Sequence, residues 1–417
     1  MSDPHAPLSL AEARARIAAA GRPTAAAYGV ETEWLTVPTG RPGDAVSFER
    51  MVAAAEPDLP LAGGGRITFE PGGQLEVSSA PAATAEEAVR SASADLADAR
   101  RRAAGAGVEL VGLGLDWRRP DRRVLSDPRY AAMETYFDGG GPHGRRMMCR
   151  TASIQPNVPL GADPAATWRL VHLLGPVLAA AFANSPLCGT GFPSGWQSAR
   201  LATWWAMDPT RTAPVAHAAG TDPGEAWADY VLDAHVMLIR RDGRWTSVVE
   251  PLPFRRWIID GHAEGRPTAD DLDYHLTTLF PPIRPRGWLE LRMVDALPEP
   301  WWPVPLLVVD AALRDPGAAA AVAATCADAE GRWVPAARAG MADEALRTAA
   351  TAVFDAALAA MARAGTSSDL VALVAAYADR YPRRGRGPAD DRLDEWTAGG
   401  EGAGAAAAAH DAELSWR

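Results

Sequence analysis

Lysine is missing from this chain. All 41 residues counted as Lys or Arg are arginine, which excludes every chemistry that needs a lysine: a Walker-type phosphate loop, a Schiff base, a protein-kinase-like site. Arginine clamps phosphate and carboxylate through a planar fork, so phosphate chemistry stays open if arginine and a metal supply the positive charge. Cysteine is scarce. Cys149, Cys188 and Cys326 are odd in number and far apart, which excludes a disulfide scaffold and paired-cysteine zinc motifs and predicts buried free thiols. No His-Glu-x-x-His pattern occurs, so a zinc hydrolase finds no support. Long apolar runs are lacking as well: the longest, Leu170 to Ala183, is interrupted by His172, Gly175 and Pro176 and is too short to cross a bilayer. The opening residues, Met1-Ser-Asp-Pro-His-Ala-Pro, carry no basic-then-apolar signal, so a cytoplasmic location is expected. At a net charge of −11, nucleic acid and anionic membranes are not expected partners.

What is present is a chain of 417 residues, 48% hydrophobic and 22% charged, enough to bury a large core. The expected organisation is one catalytic domain over 1–397, with its motifs in 28–295, a helical part in 303–397, and a low-complexity tail over 398–417. Three short segments carry most of the information: Gly29-Val-Glu31-Thr-Glu33-Trp, Thr68-Phe-Glu70-Pro-Gly-Gly-Gln74-Leu-Glu76-Val, and Trp288-Leu-Glu290-Leu-Arg292-Met. Successive strand side chains alternate between faces, so Glu31 shares a face with Glu33, Gln74 with Glu76, and Glu290 with Arg292. The opposite face is apolar, at Ile67, Phe69, Leu75, Val77, Leu289, Leu291 and Met293, as in an antiparallel sheet packed on a core. Pro71-Gly72-Gly73 either bulges the second segment or turns it back on itself.

Each segment alone also reads as a solvated strand face. Together they gather glutamates that would repel by roughly 2–3 kcal/mol per pair at about 6–7 Å and an effective dielectric of about 20. A divalent metal offsets such repulsion, and hard oxygen ligands suit magnesium. A fourth alternation, Arg150 to Val158, puts Thr151, Ser153, Gln155 and Asn157 on one face, neutral hydrogen-bonding groups suited to the polar ends of an amino acid. Capped helices are expected from Ser9 to about Gly21 and from Thr84 to about Gly105. A mostly apolar helix is expected over 167–183, a hairpin around Asp242-Gly243, and an irregular surface region over 116–144.

These motifs resemble the plant-type glutamate-cysteine ligases, and among them the actinobacterial branch that makes γ-glutamylcysteine for ergothioneine. The matching stretches are the three acid segments, Thr151-Ala-Ser153-Ile-Gln155-Pro-Asn157, Ala183-Asn184-Ser185-Pro186, Gly195-Trp-Gln-Ser198-Ala-Arg200, and His275 through Arg292. The resemblance implies an α+β, glutamine synthetase-like catalytic fold: a curved antiparallel sheet with a concave active-site face and helices packed on the other side. It also implies metal ligation by Glu31, Glu33, Glu70, Glu76 and Glu290, with Mg2+ (or Mn2+) as cofactor and ATP as co-substrate. Arg292, Arg286 and Glu290 are the implied catalytic residues. Thr151, Gln155, Asn157, Arg200 and Arg284 would bind substrate, and Glu70, Gln74 and Arg286 the nucleotide; Arg211 is a weaker candidate. L-glutamate, L-cysteine and ATP are the implied small-molecule partners. His235 departs from the family pattern. Two other readings share the motifs: a ligase of the same scaffold joining glutamate to a different amine, and a non-catalytic paralogue that binds nucleotide or glutamate.

Overall fold

The computed structural model describes residues 6–398 except 25, 26, 42 and 190. Its sheet follows from the alternation in the sequence. The strands are β1 (Gly29–Pro38), β2 (Arg66–Phe69), β3 (Leu75–Ser78), β4 (Val108–Val111), β5 (Ser153–Pro159), β6 (Leu238–Arg241), β7 (Arg244–Ser247), β8 (Ile283–Pro285), β9 (Trp288–Leu291) and β10 (Val294–Asp295). Eight of them form one antiparallel sheet in the order β2-β3-β1-β5-β9-β8, with β4 on the second half of β1 and β10 on the start of β5. β6 and β7 make a separate hairpin, turned at Asp242-Gly243, whose positive φ values suit that tight connection.

Pro71-Gly72-Gly73 is a turn. The Gly73 N–H donates to the Glu70 carbonyl at 2.8 Å and the Glu70 N–H to the Gln74 carbonyl at 2.9 Å, with Gly73 at φ 88°. Because Thr68 pairs with Glu76 and Phe69 with Leu75, Glu70 continues the face of Thr68 and joins Glu76 there. The turn therefore brings Glu70 to the acid face, which strand alternation alone did not require.

The other sheet face is greasy and closed. Val30, Trp34, Ile67, Leu75, Val77, Ile154, Val158, Leu289 and Leu291 are buried in one apolar core, against helices Ala85–Gly105, Pro164–Ala181 and Val304–Arg314. The same core continues through Phe354 and Tyr377 of the C-terminal helices. Helix Glu344–Arg363 is long and apolar enough to cross a membrane, but Leu346, Val353, Phe354 and Met361 are buried in this core.

One stretch differs from expectation. The region over 116–144, expected to be irregular, contains helix Pro128–Asp138 and the start of helix His143–Arg150. The first is signalled only by its Asp127 cap and by proline at the first turn, with little amphipathic pattern behind them. Helix Phe48–Ala55, capped by Ser47, lies in the connection between the first two acid segments. The low-complexity run from Gly399 lies outside the described residues.

Candidate active site

Three acids meet on the open face of the sheet. Glu33 on β1 stands directly opposite Glu76 on β3, Glu70 enters from the turn, and one carboxylate oxygen of each lies within 4.8 Å of the others. Glu76 accepts from the hydroxyls of Thr68 (2.8 Å) and Ser78 (3.0 Å). Glu33 accepts from the Ser153 N–H and from Gln155 Nε2, both at 2.8 Å. Burial, then the neighbouring acids, push Glu33 up to about 6 and Glu70 well above the ordinary carboxylate range. Glu31, one alternation away on β1, is pushed up to about 8 by burial and by the charges of Glu290 and Glu76. Carboxyls so reluctant to ionise together, all of them hard oxygen donors, fit a divalent cation of the magnesium type.

Glu290 belongs to a different arrangement. Arg284 Nη2 donates to both of its oxygens (2.7 and 3.0 Å), Arg286 to one (3.2 Å), and Arg292 to the other. Burial alone would raise this carboxyl; Arg284, Arg292 and Arg286 override it and hold Glu290 at about 2. Both oxygens are thus occupied by guanidinium groups, and Glu290 stands apart from the three-acid group. One side chain links the two halves: Gln155 accepts from Arg292 Nη1 at 2.6 Å while donating to Glu33. A cationic pocket and an anionic pocket lie side by side, each held by the other through a neutral amide.

The remaining sequence-predicted residues divide by what their polar atoms already hold. Arg286 is half exposed and can reach a ligand. Asn157 accepts from Trp288 Nε1 at 3.0 Å; with Glu31, Arg66, Ser78 and Trp288 it lines a cavity of about 520 Å³ at the rim of the acids. Thr151 is buried with its hydroxyl on the Met147 carbonyl at 2.6 Å. Gln74 is buried and spans from the hairpin to the Thr151 carbonyl at 2.8 Å. Arg200, 1% exposed, donates to the Arg292 carbonyl at 2.7 Å and to Asp295 at 3.4 Å, so it supports the link between β9 and β10 that carries Arg292. Arg211 is likewise buried, bound to Asp208, the Thr278 carbonyl and the His235 carbonyl.

Asp295 was not singled out from the sequence. It is fully buried and accepts from the Asn184 N–H (2.8 Å), Ser185 (2.7 Å), Ser198 (2.9 Å) and Arg200. Three distant motifs, Asn184-Ser185, Ser198-Arg200 and the end of the Glu290 segment, are tied together at this carboxylate. Its signal was the presence of small hydroxyl residues in those motifs, whose common acceptor only the fold reveals.

A family model described as glutamate-cysteine ligase family 2 matches residues 27–411. The glutamate–cysteine ligase EgtA of Mycolicibacterium smegmatis is 42% identical over 376 residues, covering 88% of this chain and 85% of that one. A chloroplastic glutamate–cysteine ligase of Arabidopsis thaliana is 31% identical over 243 residues, 56% of this chain and 46% of that one. Among solved structures, a glutamate–cysteine ligase of Francisella tularensis in complex with AMP superposes with a TM-score of 0.52 at 12% identity, covering 88% of this chain and 84% of that one. That likeness bears on the fold alone, and agrees with the antiparallel sheet and helical layer described above. With its motifs in place on that sheet and the family model matched over most of its length, the chain belongs to the glutamate-cysteine ligase family 2.

Proposed function

We propose that this chain is an ATP-dependent ligase that joins the γ-carboxylate of L-glutamate to the amine of L-cysteine, giving γ-glutamylcysteine for ergothioneine synthesis. The observation that carries the reading is the pairing, on one sheet face, of the Glu33–Glu70–Glu76 group with the arginines around Glu290, in a chain whose close relatives bear that activity in their names.

The chemistry needs both halves. A carboxylate is a poor acyl donor, so ATP first transfers its γ-phosphoryl group to a γ-carboxylate oxygen of glutamate, forming an acyl phosphate and ADP. The cysteine amine then attacks the acyl carbon, phosphate departs with the former carboxylate oxygen, and the amine loses a proton. Glu33, Glu70 and Glu76, with Glu31 beside them, would hold magnesium, with manganese as an alternative; bound there, the ion neutralises phosphate oxygens. Arg286 and Arg292 supply fixed positive charge to the group in transfer. Arg284 with Glu290 keeps that pair in position, while Gln155 sets the distance between the arginines and the acids. The cavity lined by Trp288, Asn157 and Glu31 is the one we assign to the nucleotide. No protein nucleophile is required, and burial pushes the Cys149 and Cys326 thiols up to about 12, so neither has a covalent role. One catalytic domain over 1–397 and a cytoplasmic location complete the proposal, supported by the continuous core and by three cysteines that form no disulfide.

ADP release measured with glutamate present while the second amino acid is varied tests it. Turnover should require magnesium or manganese and rise strongly with L-cysteine over glycine, alanine or serine. Equal rates with serine would place the chain among ligases of broader amine choice. Binding of ATP and glutamate without ADP release would make it a non-catalytic paralogue.

A further inference from the structure

We propose that Arg66 is a further nucleotide-binding residue, which holds the α-phosphate of ATP from the edge of the sheet opposite the Glu290 arginines. The proposal rests on the assignment of the Trp288–Asn157–Glu31 cavity to the nucleotide.

The ladder puts Arg66 on the acid face. It pairs with Ser78, and Ser78 pairs with Glu31, so the three form one cross-strand row whose members share a face. Thr68, two residues along β2 and therefore on the same face, donates to Glu76. β2 and β8 are the two ends of the path β2-β3-β1-β5-β9-β8. Arg284 stands on the last strand and Arg66 on the first, with Glu31, Glu33 and Glu76 on the strands between them.

Arg66 is also uncommitted. Its side chain is exposed and, among the described residues, makes no ion pair, hydrogen bond or ring contact. Of the described residues that line the cavity, Arg66 is the only cation and Glu31 the only acid, and the two are not paired. A lone cation at the rim of a cavity with otherwise neutral walls suits one anionic group of a larger ligand. The backbone that presents it is fixed: buried Asp95 accepts from the N–H groups of Gly63 and Gly65, the latter at 3.0 Å, which anchors the loop leading into β2.

Position selects the phosphate. The γ-phosphoryl group is transferred beside Arg286 and Arg292, and the acids with their metal serve the outer phosphates. The α-phosphate remains, the anion next to the nucleoside that fills the cavity.

Titration of the full chain with AMP, ADP and ATP in the presence of magnesium, together with steady-state kinetics, tests the assignment. Arg66→Gln should weaken all three nucleotides by a similar factor of about ten and raise KM for ATP alike, with KM for glutamate and Tm unchanged. Arg66→Lys, which keeps the charge, should stay within about threefold of the wild type. A loss confined to ATP would put Arg66 on the γ-phosphate, and unaltered nucleotide affinity with a raised magnesium requirement would make it a counter-charge for the acids; either result overturns the assignment, as does the absence of AMP binding by the wild type below about 10 mM. A wild type that binds no ATP would overturn the nucleotide reading of the cavity itself, and the role of Arg66 with it.

Discussion

Glu33 faces Glu76 directly across the β1–β3 ladder, a position where sheets gain from unlike charges and lose from like ones. The consequence for stability has a definite sign. From an ordinary value of 4.5, Glu33 is raised to about 6 and Glu31 to about 8, so between those limits the folded chain binds more protons than the unfolded one. Stability from these groups is present at low pH and lost as pH rises through the folded values. Without metal, Tm should therefore fall between about pH 5 and pH 8.5. Magnesium should raise Tm more at pH 8 than at pH 5, and its binding should release protons, seen as calorimetric heats that vary with the ionisation enthalpy of the buffer. A metal effect independent of pH would remove these acids as ligands.

Acid-to-amide variants should separate the two halves of the site. Glu31→Gln relieves repulsion and should leave the metal-free protein as stable or more so. Glu290→Gln strips a buried carboxylate from Arg284, Arg286 and Arg292 and leaves those charges facing one another, at a cost of about 3 kcal/mol. Both should abolish turnover. Urea unfolding without metal makes the comparison, and equal midpoints would mean that Glu290 does not organise the arginines.

Much of this site was legible because strand geometry is periodic. Glu31 with Glu33, Gln74 with Glu76, and Glu290 with Arg292 fall on common faces by alternation alone. Alternation does not say which face-mates touch, and so Glu290 could not be distinguished from the other acids until β9 and β8 placed Arg284 opposite it. Arg200 and Thr151 sit in motif positions that suggested substrate contact; in the fold two Arg200 nitrogens bond the Arg292 carbonyl and Asp295, and the Thr151 hydroxyl bonds the Met147 carbonyl. Such burial depends on long-range packing. The Asp295 hub joins residues up to 111 positions apart, a distance over which no local pattern carries information.

The turn that delivers Glu70 should be intolerant of a side chain. A β-carbon on Gly72 would lie 2.0 Å from the Cys149 carbonyl oxygen, with the backbone of Cys149 behind it. Backbone cannot step aside as a flexible side chain can, so the hairpin must shift and carry Glu70 away from Glu33 and Glu76. Gly72→Ala should cost about 1–3 kcal/mol in stability and raise the magnesium concentration for half-maximal rate about tenfold, with much of kcat regained at saturating metal. An unchanged metal requirement would show that Glu70 is not a ligand.

Arg292 makes the sharpest case, because it bonds in two directions at once. It pairs with Glu290 and donates to Gln155 at 2.6 Å, and Arg200 fixes its carbonyl from below at 2.7 Å. Lysine in its place keeps the charge but has neither the planar fork nor the reach to hold an acid and an amide together while facing a phosphate. Loss of a charge-assisted contact of this kind should cost roughly 2–4 kcal/mol of transition-state stabilisation, a hundred- to a thousandfold in rate. If Arg292 only balances Glu290, lysine should serve nearly as well. Steady-state kinetics of Arg292→Lys at saturating magnesium separate the two: a change under about threefold in kcat/KM for both ATP and glutamate would end the catalytic assignment. A large loss with Tm unchanged would place the defect in the transition state, where the geometry of Gln155, Arg292 and Glu290 says it should be.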